Sequence, residues 1–115
     1  MRAAQLLLLF VAQSDALRRA AIVTGGSRGI GRGISGALAE AGFDLLITYN
    51  SDVEAAEEAA SALRTAHGCT VECVGGDISL TATRDEVFAR YDATFKATHE
   101  LGAVVHNAGR IACPN

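Results

Sequence analysis

The stretch IVTGGSRGIGRGIS, residues Ile22–Ser35, contains closely spaced glycines at Gly25, Gly26, Gly29 and Gly31. An apolar run precedes these glycines and a helical pattern follows them. A strand, a glycine turn and a helix together cradle a pyrophosphate, because helix N-terminal N–H groups favour anions and glycine permits close approach. The spacing is not that of a nucleoside-triphosphate loop. The stretch therefore predicts a dinucleotide-binding turn, and a glycine turn without a ligand is the alternative.

The pattern on either side of this turn alternates short apolar runs with helical segments. Strands separated by helices pair in parallel through right-handed crossovers. The predicted fold class is α/β, a doubly wound, Rossmann-like parallel sheet truncated after its fourth strand. The predicted strands are Ala20–Thr24, Asp44–Asn50, 69–74 and Ala103–His106.

Capping residues predict the bounds of the helices. Ser51–Glu54 has the pattern of a capping box that opens a helix running to about His67, with Gly68 as its C-terminal cap. Thr83–Glu86 repeats the pattern for a helix through about His99. The helix after the glycine turn is expected to end near Gly42. The apolar residues expected on the buried faces of the first two helices are Ile30, Ile34, Leu38, Ala41, Val53, Ala56, Ala60 and Leu63.

Composition sets limits on the class of protein. The chain has 115 residues and a formal net charge of −3, so it offers no electrostatic reason to expect nucleic acid or an anionic membrane as a partner. Its cysteines, Cys69, Cys73 and Cys113, form no C-x-x-C pair, and its histidines are scattered. We expect free thiols in a reducing compartment and no metal site. Length predicts one partial dinucleotide-binding domain over residues 18–115.

The first 17 residues form an extension to this domain. Arg2 is followed by the apolar run Leu6–Ala12 and then by small residues, which resembles the outline of a leader. The alternatives are a helical extension and sequence upstream of the natural start. The run is too short to span a bilayer as a helix. We expect a cytoplasmic protein, with a leader as the less favoured reading.

Three stretches together resemble the short-chain dehydrogenase/reductase family. Thr24–Gly31 is similar to that family's T-G-x-x-x-G-x-G fingerprint. Gly75–Ser79, GGDIS, resembles the segment after its third strand. His106–Gly109, HNAG, resembles its N-N-A-G motif, with histidine in place of the first asparagine. The resemblance covers about residues 18–109, in order and with similar spacing.

This resemblance implies roles for individual residues. The glycines would line the pyrophosphate, Ser27 and Arg28 would face the adenosine ribose, and Asp77 would contact the adenine. Asn107 would lie near the nicotinamide ribose and tie the sheet together. Taken alone, Asp77 is also explained as a helix N-terminal carboxylate and Asn107 as a turn residue. The implied cofactor-binding residues are Thr24, Gly25, Ser27, Arg28, Gly29, Ile30, Gly31, Asp77, Ile78, Asn107, Ala108 and Gly109.

The second strand bears on the choice between NADP(H) and NAD(H). Asp44 has the spacing of a ribose-binding carboxylate, but it begins the strand, whereas ligands bind at the carboxyl ends of strands. The residues at that end, 48–51, include no carboxylate, and Asn50 there can donate hydrogen bonds. With Arg28 in the turn, this favours NADP(H). Asp52 lies close by and keeps NAD(H) as the alternative, as does the reading of Arg28 as a solvated cation.

The residues that would perform chemistry are missing from the sequence. In the resembled family a tyrosine, a lysine four residues later, a serine and an asparagine act on the substrate, all after the N-A-G motif. The chain's tyrosines, Tyr49 and Tyr91, are followed four residues later by Val53 and Phe95. The only lysine, Lys96, lies five residues after Tyr91, where helical rotation turns the two side chains apart. No residue is therefore predicted to be catalytic.

These observations predict the N-terminal part of an NADP(H)-dependent short-chain oxidoreductase. The full-length enzyme would transfer hydride between nicotinamide and a small carbonyl or alcohol substrate, and the resemblance implies a homo-oligomer. The alternatives are a non-catalytic nucleotide-binding or interaction module and an inactive truncated product.

Overall fold

The computed structural model describes residues 18–107, which form alternating strands and helices. The apolar, β-branched runs are strands, and the alanine- and glutamate-rich segments are helices. The elements are β1 (Arg18–Thr24), α1 (Gly29–Glu40), β2 (Asp44–Tyr49), α2 (Val53–His67), β3 (Val71–Gly75), α3 (Thr81–Thr94) and β4 (His99–His106).

The strands form one four-stranded parallel sheet in the order β3-β2-β1-β4. The chain moves outward from β1 to β3 and then crosses back to place β4 on the other side of β1. This reversal of direction between β1 and β4 is the switch point at which open α/β sheets bind ligands. The predicted α/β, doubly wound class is confirmed.

Helices cover both faces of the sheet. Alternate residues of β1 point to opposite faces, with Ala21 and Val23 on one side and Ala20 and Ile22 on the other. The first face is covered by α1 and α2, and the second by α3. The core residues of the first face include Ala39, Leu45, Ile47, Ala60, Leu63 and Val71, and those of the second include Leu46, Val74, Val87, Tyr91 and Phe95.

The buried face of α1 differs from the predicted one. Ser35 and Ala39 are buried, and Ile34 and Leu38 pack partly against the core. Ile30, by contrast, is 77% exposed. The start of α1 approaches the glycine turn through its small residues, so the large Ile30 side chain is turned outward. Ala41 is also exposed, because it lies beyond the last helical residue as the C-cap.

The predicted capping box of α2 is wrong by one residue. Asp52, not Ser51, is the N-cap, and its Oδ1 accepts a hydrogen bond of 3.0 Å from the N–H of Ala55. A carboxylate is at least as good a cap as a hydroxyl and also favours the helix dipole. Val53, predicted to face the core, is exposed at the first helical position. At the other end, the predicted cap Gly68 is confirmed in the left-handed conformation, with φ of +67°.

The second predicted capping box is also wrong. Helix α3 begins at Thr81 after the N-cap Leu80, and Thr83 is buried inside the helix. The side chain of Arg84 holds this helix start by donating to the carbonyls of Ile78 and Ser79. The helix ends at Thr94, so His99 begins β4, which is longer than predicted.

Several predictions fall outside the described residues. These are the extension or leader over residues 1–17, the roles of Ala108 and Gly109, and the state of Cys113. Within residues 18–107, none of the helices has both the length and the apolar character that crossing a bilayer requires.

Candidate cofactor site

A cavity of about 630 Å³ lies at the carboxyl ends of β1, β2 and β3. It opens where the loops after these strands meet, as expected for a parallel sheet. Six of the predicted residues line it: Gly25, Ser27, Arg28, Asn50, Asp77 and Ile78. The further lining residues are Thr48, Tyr49, Ser51, Asp52, Gly76 and Ser79.

The glycine turn is attached to the end of β2. The N–H of Gly25 donates to Thr48 Oγ1 at 3.1 Å, and the N–H of Gly26 donates to the Thr48 carbonyl at 3.1 Å. Gly25 and Gly29 have φ of +66° and +54°, a backbone conformation that residues other than glycine rarely adopt. Thr48 was not predicted as a site residue, although a threonine at the carboxyl end of a buried strand is a signal for such a contact.

Close packing holds the start of α1 against the turn. A Cβ on Gly31 would collide with the Gly25 carbonyl and lie 2.6 Å from Asn107 Nδ2. Ser35, one turn further along α1, donates from its hydroxyl towards the carbonyls of Gly26 at 3.1 Å and Gly31 at 2.9 Å. Ser35 is fully buried. Its role was not predicted because a serine inside a predicted helix does not by itself indicate a contact with the turn.

The N-terminus of α1 is suited to an anion. Its N-cap, Arg28, makes no side-chain capping hydrogen bond, so the first N–H groups of the helix have no side-chain cap within the described chain. A Cβ on Gly29 would meet no described residue within 4 Å, so the space beside the first helical residue is open to the part of the chain that the structure describes. By contrast, Asp52 occupies the N-terminus of α2. The donors and the space therefore fit the pyrophosphate of a dinucleotide.

Asn107 connects β4 to the turn. Its backbone N–H donates to Thr24 Oγ1 at 2.9 Å, and its side-chain Nδ2 donates to the Gly25 carbonyl at 3.2 Å. Thr24 in turn donates towards the Val105 carbonyl at 3.3 Å. These contacts join the end of β4 to the end of β1 and to the glycine turn.

The loop after β3 forms the opposite wall of the cavity. Asp77 Oδ1 accepts hydrogen bonds from the N–H of Ser79 at 2.9 Å and from its hydroxyl at 2.7 Å. The Asp77 carboxylate thereby shapes the turn that leads into α3. Ile78 is half-buried and presents an apolar surface to the cavity.

An exposed ion pair lies at the edge of the cavity near β2. Arg28 and Asp52 are 3.7 Å apart, measured from a guanidinium nitrogen to Oδ2, and their side chains are 71% and 48% exposed. Asn50 lies beside them and is also exposed. Asp44, which has the sequence spacing of a ribose-binding carboxylate, is buried at the opposite end of β2.

The comparison with known protein families agrees with this geometry. The profile of the short chain dehydrogenase family matches residues 19–115. The chain belongs to the short-chain dehydrogenases. An uncharacterized oxidoreductase of Bacillus subtilis, YmfI, is 34% identical over 94 residues, which are 82% of this chain and 36% of that protein. The 3-oxoacyl-[acyl-carrier-protein] reductase FabG of Aggregatibacter actinomycetemcomitans is 38% identical over 76% of this chain and 35% of its own length.

Solved structures of short-chain dehydrogenases share the fold. L-sorbose reductase from Gluconobacter frateurii, solved with NADPH and L-sorbose, superposes with a TM-score of 0.73 at 27% identity. The match covers 83% of this chain and 34% of that enzyme. Acetoin dehydrogenase from Enterobacter cloacae gives a TM-score of 0.71 at 31% identity, over 84% of this chain and 37% of its own. This short-chain dehydrogenase therefore spans about a third of the length of the relatives it matches.

Neither tyrosine of this short-chain dehydrogenase is arranged with a lysine. The Tyr91 hydroxyl is buried against the second core and has no hydrogen-bond partner among the described residues. Burial, with a smaller effect of Asp92, raises the pKa of Tyr91. Tyr49 lies with its ring beside Gly75, and Lys96 is exposed in the turn after α3. The described residues thus contain no tyrosine–lysine pair of the kind that protonates a carbonyl oxygen.

The described cysteines, Cys69 and Cys73, are free thiols with low reactivity. Burial raises the pKa of the Cys73 thiol to about 11, and the nearby Glu57 adds to the effect. Burial also raises the pKa of Cys69. Both thiols stay protonated near neutral pH, which removes their nucleophilicity. Among residues 18–107, no group of histidine, cysteine and acidic side chains has the arrangement of a metal site.

Proposed function

We propose that this chain is the cofactor-binding N-terminal part of an NADP(H)-dependent short-chain oxidoreductase. The reaction of the whole enzyme is hydride transfer between nicotinamide and the carbonyl or alcohol carbon of a small molecule. The observation that carries the proposal is the N-terminus of helix α1, which no side chain of residues 18–107 caps and whose N-cap residue, Arg28, lines the cavity. Membership in the oxidoreductase family supports the reaction class.

In this proposal each loop at the cavity binds one part of the dinucleotide. The glycine turn and the first N–H groups of α1 bind the pyrophosphate, and Arg28 binds the 2′-phosphate. Asp77 and Ile78 hold the adenine, while Asn107 positions the turn near the nicotinamide ribose. The roles of Ala108 and Gly109 at that ribose stay predictions. Two similar structures support NADP(H) over NAD(H): L-sorbose reductase was solved with NADPH, and YwfH is an NADPH-dependent reductase involved in Bacilysin biosynthesis.

The chain's own contribution to the reaction is binding and orientation. When bound, the nicotinamide supplies or accepts the hydride. Proton transfer to the substrate oxygen requires a positioned acid, and we expect that residue downstream of Gly109 in the whole enzyme. The relatives' names mention acetoin, L-sorbose and 3-oxoacyl groups, so only the carbonyl or alcohol class is proposed as substrate. A homo-oligomer and a cytoplasmic location stay predictions.

Dinucleotide titration tests the cofactor assignment. Calorimetry with NADPH and NADH is applied to the chain and to Arg28→Ala, with Arg32→Ala as a matched control in the same helix but outside the cavity lining. Losing a charge-assisted phosphate contact is expected to weaken NADPH binding about tenfold, with NADH changed less than about twofold. Equal losses for both dinucleotides would contradict the role of Arg28, and no binding of either would contradict the proposed function.

The non-catalytic module remains the competing proposal. The intact mass of the protein from its native source separates the two. A mass well above that of 115 residues, together with a downstream tyrosine and lysine, supports the enzyme. A mass matching this chain, with nucleotide binding and no reductase activity, supports the module.

A further inference from the structure

We propose that Asp52 is a specificity-determining residue of the cofactor site, because its carboxylate competes with the cofactor's 2′-phosphate for Arg28. This inference rests on the proposed function. The ion pair at the cavity edge would then narrow the difference in affinity between NADP(H) and NAD(H). Removing the Asp52 charge would widen that difference.

The Asp52 carboxylate is held in place by its own helix. Oδ1 accepts the N–H of Ala55 at 3.0 Å as the N-cap of α2, which directs Oδ2 towards Arg28 at 3.7 Å. The carboxylate therefore does not need to be ordered by the arginine. The N-cap contact orients it at the edge of the cavity independently of the ion pair with Arg28.

The charges that line the cavity explain why competition between Asp52 and the 2′-phosphate for Arg28 would affect cofactor affinity. Arg28 is the only positively charged residue among the described lining residues, whereas Asp52 and Asp77 are negative. The Asp77 carboxylate is engaged by Ser79 on the opposite wall, so Asp52 is the carboxylate paired with the arginine. A 2′-phosphate carries a charge of about −1.5 to −2, and it must displace Asp52 to gain the full attraction of Arg28.

NAD(H) meets the same carboxylate differently. A ribose 2′-hydroxyl can donate a hydrogen bond to a carboxylate, which is how many dinucleotide sites recognise NAD(H). Asp52 is thus unfavourable for the phosphate and acceptable for the hydroxyl. Its position at a helix N-terminus adds to the contrast, because that terminus would itself favour a phosphate if the carboxylate were neutral.

The test compares Asp52→Asn with Glu54→Gln. Asparagine is as good an N-cap as aspartate, so Asp52→Asn removes the charge and keeps the helix start. Glu54 lies in the first turn of the same helix, is exposed and does not line the cavity, so Glu54→Gln removes an equal charge without touching Arg28. Affinities for NADPH and NADH are measured by calorimetry at low and physiological salt.

We expect Asp52→Asn to tighten NADPH binding about tenfold, with NADH unchanged or weakened by less than about threefold. Glu54→Gln is expected to change either affinity by less than about twofold, since exposed charges away from the site are screened. In an Arg28→Ala background, the gain from Asp52→Asn should fall to about threefold or less, because only direct repulsion then remains.

Three results would overturn the inference. The first is an unchanged preference in Asp52→Asn, and the second is an equal effect from Glu54→Gln. The third is a gain of the same size with and without Arg28, which would mean simple repulsion rather than competition. In each of these cases NADPH binding by the unmodified chain would still support the proposed function. If the unmodified chain binds neither dinucleotide, the proposed function fails and this inference fails with it.

Discussion

One aspartate at the amino end of β2 and another just beyond its carboxyl end are each paired with an arginine, and the two pairs differ in their surroundings. At the amino end, Asp44 is fully buried and contacts Arg18 at 3.1 Å and His99 Nε2 at 2.7 Å. Beyond the carboxyl end, Asp52 is about half exposed and reaches Arg28 at 3.7 Å. In the first pair the carboxylate is buried although Arg18 is exposed, whereas in the second pair both side chains lie at an open cavity.

The difference shows that the polarity of the sheet decides what an aspartate does. Asp44 accepts a further hydrogen bond of 2.8 Å from the N–H of Thr70, so one carboxylate links β1, β2 and β4 and the residue before β3. Its oxygens are committed to the protein. Spacing along the chain would allow either aspartate to bind a ribose. The direction of β2 places only Asp52 at the ligand end of the sheet.

The largest expected effect comes from substituting the two aspartates. Asp44→Ala should lower the free energy of unfolding by about 3 kcal/mol, because it removes a buried carboxylate and leaves the nearly buried His99 without its partner. Asp52→Ala should cost only about 1 kcal/mol, which is typical of a lost N-cap. Urea denaturation of both variants, followed by circular dichroism, measures the difference. Equal losses would remove the structural contrast between the two pairs.

A smaller effect is expected from the glycines of α1, at the ligand end. Gly31→Ala places a Cβ against the Gly25 carbonyl and Asn107, so it should destabilise the chain by about 1–3 kcal/mol and weaken NADPH binding. Gly33→Ala is the matched control, since its Cβ would meet none of the residues 18–107 within 4 Å. Removing that helical glycine should stabilise the chain by about 0.5–1 kcal/mol. Thermal melting with and without NADPH tests both, and a tolerated Gly31→Ala would contradict the close approach.

The smallest expected effect concerns the hydroxyl of Thr48. Thr48→Val keeps the shape of the side chain and removes the acceptor of the Gly25 N–H. We expect a loss of about 1 kcal/mol in unfolding free energy and an NADPH affinity reduced by about twofold to fivefold. Urea denaturation and calorimetry measure the two quantities. An unchanged NADPH affinity would mean that the turn keeps its shape without this contact. The glycines alone would then determine how the turn binds the cofactor.

Much of the fold could be predicted from sequence because its signals are local. The glycine turn follows a buried strand, and Gly68 ends α2 through a left-handed conformation that glycine adopts without strain. Such features need only a few neighbouring residues. The alternation of strands and helices then determines a parallel sheet covered on both faces.

The sequence predictions were wrong where the structure depends on a contact between residues far apart in the chain, or where two adjacent residues are equally good N-caps. Ser51 and Asp52 are adjacent and both are good N-caps, so sequence alone could not choose between them. His99 was assigned to a helix because its partner, Asp44, lies 55 residues away. Ile30 follows a helical apolar pattern, yet the tight junction of α1 with the turn faces it outward. Ser35 supports the turn through hydrogen bonds that have no sequence signature of their own.

The contacts of Asn107 also set the order in which the site can be assembled. Its bonds to Thr24 and Gly25 join residues 83 and 82 positions apart, whereas β1, β2 and β3 can pair much earlier in chain growth. Contacts between residues so far apart in the chain form slowly. The glycine turn is therefore synthesised well before Asn107, the residue that completes its hydrogen bonds. A ribosome must synthesise nearly all of residues 18–107 before the Asn107 side chain can bind the Gly25 carbonyl and stabilise the glycine turn.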